Sequence, residues 1–283
     1  MTNHYQSIGL IGGGNMGEAI IGALLHSRIF SREKIMVTDA SEARRKHLSE
    51  TYGVTIAGDN ARLFAECDIV ILAVKPQQMT DVLGEITRSS RYGEGGRTLV
   101  ISIAAGFPIR KIESLLYAPL TEAKAREMPI IRVMPNTPAL VLAGMSGMSP
   151  NRHALEADIQ AAMEILGAMG RVIVFEEEKL DAVTALSGSG PAYVFYLIEA
   201  MTRAGVEAGL DPSDAAVLTL QTLDGAVKLI LERKEPPESL RRKVTSPGGT
   251  TEAAIQVLEQ NNVRRHIIDA ILAAARRAEE LSR

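Results

Sequence analysis

The chain has 283 residues, enough for two domains that each bury a core. Apolar residues make up 46% and charged residues 23%, which excludes a disordered or collagen-like chain. A net charge of −3 without a long basic run gives no reason to expect nucleic acid, so the expected partners are small molecules and copies of the chain itself.

The single cysteine, Cys67, cannot close an intramolecular disulfide and supplies no zinc pattern; just ahead of an apolar strand it reads as a small buried thiol, and no metal is expected. No charged-then-apolar leader opens the sequence, and no apolar run approaches the ~20 residues that span a bilayer. The expectation is a cytoplasmic protein without a membrane segment.

Short apolar runs alternate with helical patterns along the first part. Residues 7–11, 35–38, 69–74 and 99–103 read as strands, and 16–27, 42–52 and 79–87 as helices. Strands alternating with helices predict right-handed crossovers and a parallel sheet, which the runs 130–134 and 172–175 extend around a helix at 154–169. Beyond Phe175 the strands cease. Helical periodicity runs from Leu180 to the end, with breaks at 187–191, 209–212, 235–237 and 246–249. Asp211-Pro212 marks one helix start, and the stretch 215–232 that follows is apolar almost all round, so it needs neighbours on most sides and predicts a second subunit. The change of pattern divides the chain into an α/β domain, 1–176, and an all-α domain, 177–283.

Gly12-Gly13-Gly14-Asn15-Met16-Gly17 matches the dinucleotide fingerprint G-x-G-x-x-G, and it sits where that fingerprint carries meaning, between a strand and a helix. Gly12 would make the tight turn, Gly14 admit the pyrophosphate to the backbone, and Gly17 let helix and sheet pack closely, while Asn15 and Met16 offer backbone N–H groups. Asp39 ends the second strand, 22 residues beyond Gly17, where an acid bonds the ribose hydroxyls and repels a 2′-phosphate. Ser41, Arg44 and Arg45 follow closely and either hold a 2′-phosphate or are solvated on a helix. NADH and NADPH both stay open as cofactor. Ala73-Val74-Lys75-Pro76 lies at the carboxyl end of a strand, so Lys75 either reaches the cofactor or is a solvated loop lysine. The small residues Ala104 and Ala105 after the next strand leave room for a nicotinamide ribose, and Asn136 either bonds its carboxamide or caps a turn between two prolines.

Near the other end, Ser246-Pro247-Gly248-Gly249-Thr250-Thr251 precedes an amphipathic run. Two glycines and several hydroxyls at a helix start leave N–H groups free to converge on an anion, with the helix dipole adding its pull, which suits a small carboxylate.

Three stretches together resemble the Δ1-pyrroline-5-carboxylate reductase family: 11–17 with 73–76, then Leu186-Ser-Gly-Ser-Gly-Pro-Ala-Tyr193, and above all Val244-Thr-Ser-Pro-Gly-Gly-Thr-Thr-Glu-Ala-Ala254. The likeness covers essentially the whole chain in the right order. It implies a Rossmann domain followed by a helical dimerisation domain, NAD(P)H-dependent reduction of pyrroline-5-carboxylate to proline, and a homodimer assembling further into a decamer. Carried onto this sequence, it implies that Ser246, Gly248, Gly249 and Thr250 hold the substrate carboxylate and that the Thr251 hydroxyl bonds the ring nitrogen. It also implies that Asn60, Ala73, Lys75 and Ala105 line the cofactor, and that Glu177 corresponds to an acid near the substrate; the run 176–178 reads equally as the charged first turn of a helix.

Reduction of a cyclic C=N needs a hydride at carbon and a proton at nitrogen, with no nucleophile. His4, His26, His47, His153 and His266 all lie outside these motifs and read as surface or packing residues. Two other activities compete. A β-hydroxyacid dehydrogenase would need a lysine where Val194 stands after Gly188-Ser189-Gly190, and a non-catalytic dinucleotide sensor would need only the first domain.

Overall fold

The computed structural model describes residues 5–283; His4 lies outside them. Two compact units result, one comprising the described residues up to Ser189 together with Ala274–Arg283, the other Gly190–Ala273. The division therefore falls at 189/190, where the sequence pattern placed it at 176/177.

In the first unit, β1 (Ile8–Ile11), β2 (Ile35–Thr38), β3 (Thr55–Ile56), β4 (Ile69–Leu72), β5 (Leu99–Ser102), β6 (Ile130–Met134), β7 (Gly144–Pro150) and β8 (Gly170–Val174) form one sheet in the order β3-β2-β1-β4-β5-β6-β7-β8. The chain leaves β1 toward β2 and returns to pair β4 on the other flank, so the direction of winding reverses between β1 and β4. Among the described residues this unit also forms α1 (Asn15–His26), α2 (Glu42–Tyr52), α3 (Asn60–Glu66), α4 (Met79–Thr87), α5 (Ile109–Leu116), α6 (Glu122–Arg126), α7 (Glu156–Gly167) and α8 (Leu180–Val183). Alternate strand residues feed two cores. Ile8, Leu10, Ile69 and Ile71 pack with Ile20 and Leu24 of α1 and Ile165 of α7, whereas Val70, Leu72 and Val100 pack with Leu63 of α3, Leu83 of α4 and Ile112 of α5. Because both faces are covered, β1, β4 and β5 are buried at every position, which is why they read as continuous apolar runs.

The expectation of a parallel sheet is corrected at one place: β7 runs antiparallel to β6 and parallel to β8. Only a short 3₁₀ turn, Thr137–Val141, joins β6 to β7, and so brief a connection reverses the chain instead of crossing over. The residues of β7, Gly-Met-Ser-Gly-Met-Ser-Pro, carry no apolar run because they lie where space is short: a side chain at Gly144 would come within 2.9 Å of Ala139 and of the Met169 carbonyl. The two-residue β3 and the helices α3, α5 and α6 also carry no expectation from periodicity, being too short to declare one.

The second unit contains α9 (Gly190–Glu207), α10 (Pro212–Arg233), α11 (Pro237–Lys243), α12 (Thr250–Gln260) and the greater part of α13 (Val263–Ser282). Of the expected breaks, 187–191 is bridged, since a π-helical turn, Thr184–Gly188, carries α8 almost directly into α9. An unexpected one falls at Asn262, which takes φ +53° between α12 and α13. Helix α10 begins at Pro212 as expected, with Asp211 at the N-cap position but without a capping bond from its side chain. Where α9 meets α10, a side chain at Gly205 would sit 2.9 Å from Ala215. Val217, Leu218, Leu220, Val227 and Leu231 of α10 are each more than half exposed in the single chain. No helix among the described residues is long and apolar enough to cross a membrane.

Asp158, in the first turn of α7, is almost wholly buried and accepts hydrogen bonds from Arg97 (2.5 Å), the Leu155 N–H (2.6 Å) and the Tyr5 hydroxyl. Burial pushes its carboxyl up, but the bonds from Arg97, Tyr5 and Leu155 outweigh that and hold it below the usual carboxylate range. Asp158→Ala is expected to destabilise the fold by about 1–3 kcal/mol, because the Arg97, Tyr5 and Leu155 donors lose their shared acceptor while Arg97 keeps only the Arg126 and His153 carbonyls. A carboxyl depressed in the folded state adds stability that is present above the unfolded value of about 3.9 and is lost as pH falls through the folded value. Urea titrations between about pH 3 and pH 7 check both: the variant should show lower stability at neutral pH and a smaller loss on acidification than the parent.

Candidate active site

β1 turns sharply at Gly12, whose φ of +103° and N–H to the Thr38 carbonyl (2.9 Å) set the bend. A Cβ there would lie 2.6 Å from the Ala73 carbonyl oxygen, and one at Gly17 would lie 2.4 Å from the Gly12 oxygen. Gly14 is different, since nothing stands within 4 Å of a Cβ built on it. It serves as N-cap of α1 without a side-chain cap, so the first N–H groups of the helix, those of Asn15 and Met16 included, are open to an anion. Two glycines permit close packing and the third leaves an open approach, which is the division of labour that a pyrophosphate requires.

A cleft of about 450 Å³ opens beside this loop, at the carboxyl ends of β1, β2 and β4. Of the residues expected at the cofactor, Gly12, Gly14, Asp39, Asn60, Ala73, Val74 and Lys75 line it; Gly13, Asn15, Met16, Pro76, Ala104 and Ala105 do not. Lys75 thus belongs to the cleft wall. Asn60 is fixed by Thr38 (2.6 Å) and Glu85 (2.7 Å), and Thr38, Gln78 and Glu85 are wall residues for which the sequence carries no motif. Asp39 accepts the N–H groups of Gly13 (2.7 Å) and Ser41 (2.8 Å), so its charge sits at the cleft end of β2. The neighbouring cations diverge. Arg45 lines the cleft and donates to the Asp39 carbonyl at 2.5 Å, whereas Arg44 pairs with Glu18 at 2.6 Å and does not line it. Ser41 accepts from the Arg44 N–H at the start of α2.

The second motif lies in the other unit. Gly248 takes φ +72°, Gly249 caps α12 without a side-chain bond, and the Gly249 N–H closes the turn on the Ser246 carbonyl at 3.0 Å. The hydroxyls of Ser246, Thr250 and Thr251 enter no hydrogen bond within the chain among the described residues. One carboxylate is already at this turn: Glu252 accepts from the Gly248 N–H at 2.7 Å. The Gly248 N–H is thus a donor that a carboxylate can take, while the Gly249 N–H is used within the turn.

Glu177 belongs to the first unit, where its carboxylate accepts from the buried Arg132 (3.1 Å) and the Ile109 N–H (2.7 Å). Those partners are structural, and the substrate role implied for Glu177 draws no support from them. Asn136 likewise spends its side chain on the backbone, accepting from the Met145 N–H and donating to the Ser187 carbonyl, which is the turn-capping alternative. Burial pushes the Cys67 thiol up to about 12, leaving it inert as a nucleophile at neutral pH.

Residues 177–281 match the family described as pyrroline-5-carboxylate reductase dimerisation, and residues 7–106 match the one described as NADP oxidoreductase, coenzyme F420-dependent. The pyrroline-5-carboxylate reductase of Synechocystis is 41% identical over 276 residues, covering 98% of each chain. Among solved structures, the pyrroline-5-carboxylate reductase of Coxiella burnetii superposes with a TM-score of 0.86 at 38% identity, covering 98% of this chain and 99% of that one. The Plasmodium falciparum pyrroline carboxylate reductase, solved with NADP bound, gives 0.85 at 29% identity over 98% of both. A likeness that runs through both units, where a shared dinucleotide fold alone would stop at the first, makes this chain a member of the pyrroline-5-carboxylate reductase family.

Proposed function

We propose that this protein reduces Δ1-pyrroline-5-carboxylate to proline with NADH or NADPH. The observation that carries the reading is the turn at 246–251, which holds a carboxylate of its own chain at the start of a helix. In the productive state the substrate carboxylate takes that place, bonded by the Gly248 N–H and by Ser246 and Thr250, while Gly249, whose own N–H closes the turn on the Ser246 carbonyl, lets the chain pass close beneath it. Anchored there, the ring is oriented, which converts binding into reaction rate by removing rotational freedom. The Thr251 hydroxyl donates to the ring nitrogen and stabilises it as imine becomes amine. NAD(P)H, when bound along Gly12, Gly14, Asn60, Ala73 and Lys75, supplies the hydride to the imine carbon.

The enzyme works as a homodimer, with further association to a decamer, in the cytoplasm. The exposed leucines and valines of α10 support self-association, since so much apolar surface is rarely left in water. Oxidation of NADPH or NADH on addition of pyrroline-5-carboxylate, with proline as product, tests the activity. A dinucleotide sensor would bind without turnover, and a hydroxyacid dehydrogenase would turn over only with an alcohol or ketone.

Thr251→Ala is expected to lower kcat/KM by roughly tenfold to a thousandfold with little change in cofactor affinity, as for loss of one polar contact at a reacting atom; steady-state rates at varied imine and varied cofactor separate the two. Asp39→Ser is expected to shift the NADPH-to-NADH specificity ratio toward NADPH by about tenfold to a hundredfold, since it removes a carboxylate facing the 2′-phosphate position; an unchanged ratio would show that Asp39 does not discriminate. Leu220→Glu places a charge on the exposed apolar surface of α10 without disturbing the chain's own core. Light scattering is expected to show a smaller species with lost activity, or loss of folded protein; a fully active assembly of unchanged size would place the interface elsewhere.

A further inference from the structure

Both main-chain polar groups of Gly13 are held by side chains that follow β2. Its N–H donates to Asp39 at 2.7 Å, and its carbonyl accepts from Arg44 through Nε (2.8 Å) and Nη2 (2.5 Å). The guanidinium is fixed in turn, because Nη2 also donates to Glu18 Oε2 at 2.6 Å, while Glu18 Oε1 accepts from the Tyr52 hydroxyl at 3.1 Å and meets His47 Nε2 at 2.8 Å. Burial pushes the Glu18 carboxyl up, but the bonds from His47, Arg44 and Tyr52 outweigh that and keep it below the usual range, so Glu18 stays charged opposite Arg44. The cluster ties α1, which carries Glu18, to α2, which carries the other three.

The consequence lies one peptide further on. A trans peptide points its C=O and its N–H in opposite directions. With the Gly13 carbonyl drawn onto Arg44, the N–H of Gly14 is turned away from that guanidinium; Gly14 lines the cleft, and its N–H has no partner among the described residues. Between two glycines such a peptide would otherwise rotate at little cost, and a rotated one would offer a carbonyl oxygen to an incoming phosphate. We infer that Arg44 is a positioning residue for the cofactor: by gripping the Gly13 carbonyl it fixes the Gly13–Gly14 peptide and presents the Gly14 N–H to the pyrophosphate. The inference rests on the reading of this cleft as the NAD(P)H site. Arg44 acts on the part that NADH and NADPH share, because it is Arg45, and not Arg44, that lines the cleft beside Asp39.

Titration calorimetry of the full-length protein with NADH and with NADPH tests this, using wild type, Arg44→Ala and Arg44→Lys. Arg44→Ala is expected to raise Kd for both dinucleotides about tenfold and by the same factor, as for loss of a charge-assisted hydrogen bond. Arg44→Lys keeps the charge and one donor, and should recover part of the loss. In kinetics the cofactor KM should rise in both variants while kcat at saturation stays near wild type, and the melting temperature of Arg44→Lys should stay near that of wild type. A loss confined to NADPH would make Arg44 a direct 2′-phosphate ligand, and a Kd within about twofold of wild type in Arg44→Ala would show that the loop needs no such grip; either overturns the inference. A lysine variant as weak as the alanine variant, both melting early, would overturn it too, as the mark of a scaffold role. Should Arg44→Ala not fold, Arg44→Lys against wild type decides, with a rise of about threefold in both Kd values expected and no rise overturning the inference. Failure of the wild type to bind either dinucleotide would overturn the reading of the cleft, and the inference with it.

Discussion

The first turn of α1 rests on bare backbone. A methyl group at Gly17 would come within 2.4 Å of the Gly12 oxygen and one at Gly12 within 2.6 Å of the Ala73 oxygen, so neither contact survives any other residue. That closeness puts the positive end of a helix at the carboxyl edge of β1 and β4, where the winding of the sheet reverses and leaves a crevice. The cleft, its lining by Ala73 to Lys75, and the placing of Asp39 against the Gly13 N–H all follow from the same approach. The loop is also held from the outside, because Arg44 and Asp39 take the polar groups that a pair of glycines would otherwise leave free to turn.

The second unit repeats the device on a smaller scale. A left-handed glycine, Gly248, bends the chain into the start of α12, and the helix opens without a side-chain cap. In the first unit the open helix start adjoins a cleft of about 450 Å³ that Gly14 lines; in the second a single carboxylate, that of Glu252, takes the Gly248 N–H. One chain thus carries two helix starts without side-chain caps, each built on the same piece of physics, the unsatisfied donors there. Catalysis of imine reduction asks little more of the protein than this, since hydride transfer demands orientation and charge placement and no covalent bond between protein and substrate.

What the sequence discloses and what it conceals follow from how each feature is encoded. The fingerprint glycines are legible because each answers a steric demand that no other residue meets, and β1, β4 and β5 are legible because burial on both faces leaves an unbroken apolar run. β7 is hidden for the opposite reason: its glycines and serines fit a crowded place between β6 and β8, and small residues carry no period. The fates of the two arginines after β2 are also hidden, as neighbours in sequence point to opposite tasks once α2 is formed. The pairing of Glu177 with Arg132 is hidden too, for the two lie 45 residues apart in the chain and nothing local announces the pair.

The claim at the centre of this account is that a carboxylate held at the Ser246–Thr251 turn orients a cyclic imine for reduction. Comparing initial rates on pyrroline-5-carboxylate and on 1-pyrroline, the same ring without its carboxylate, at saturating NADPH or NADH addresses it most directly. The account predicts that kcat/KM for 1-pyrroline falls by a factor on the order of a hundred or more, the loss appearing in kcat as well as in KM because orientation is lost with the anchor. Equal rates on the two rings would contradict it.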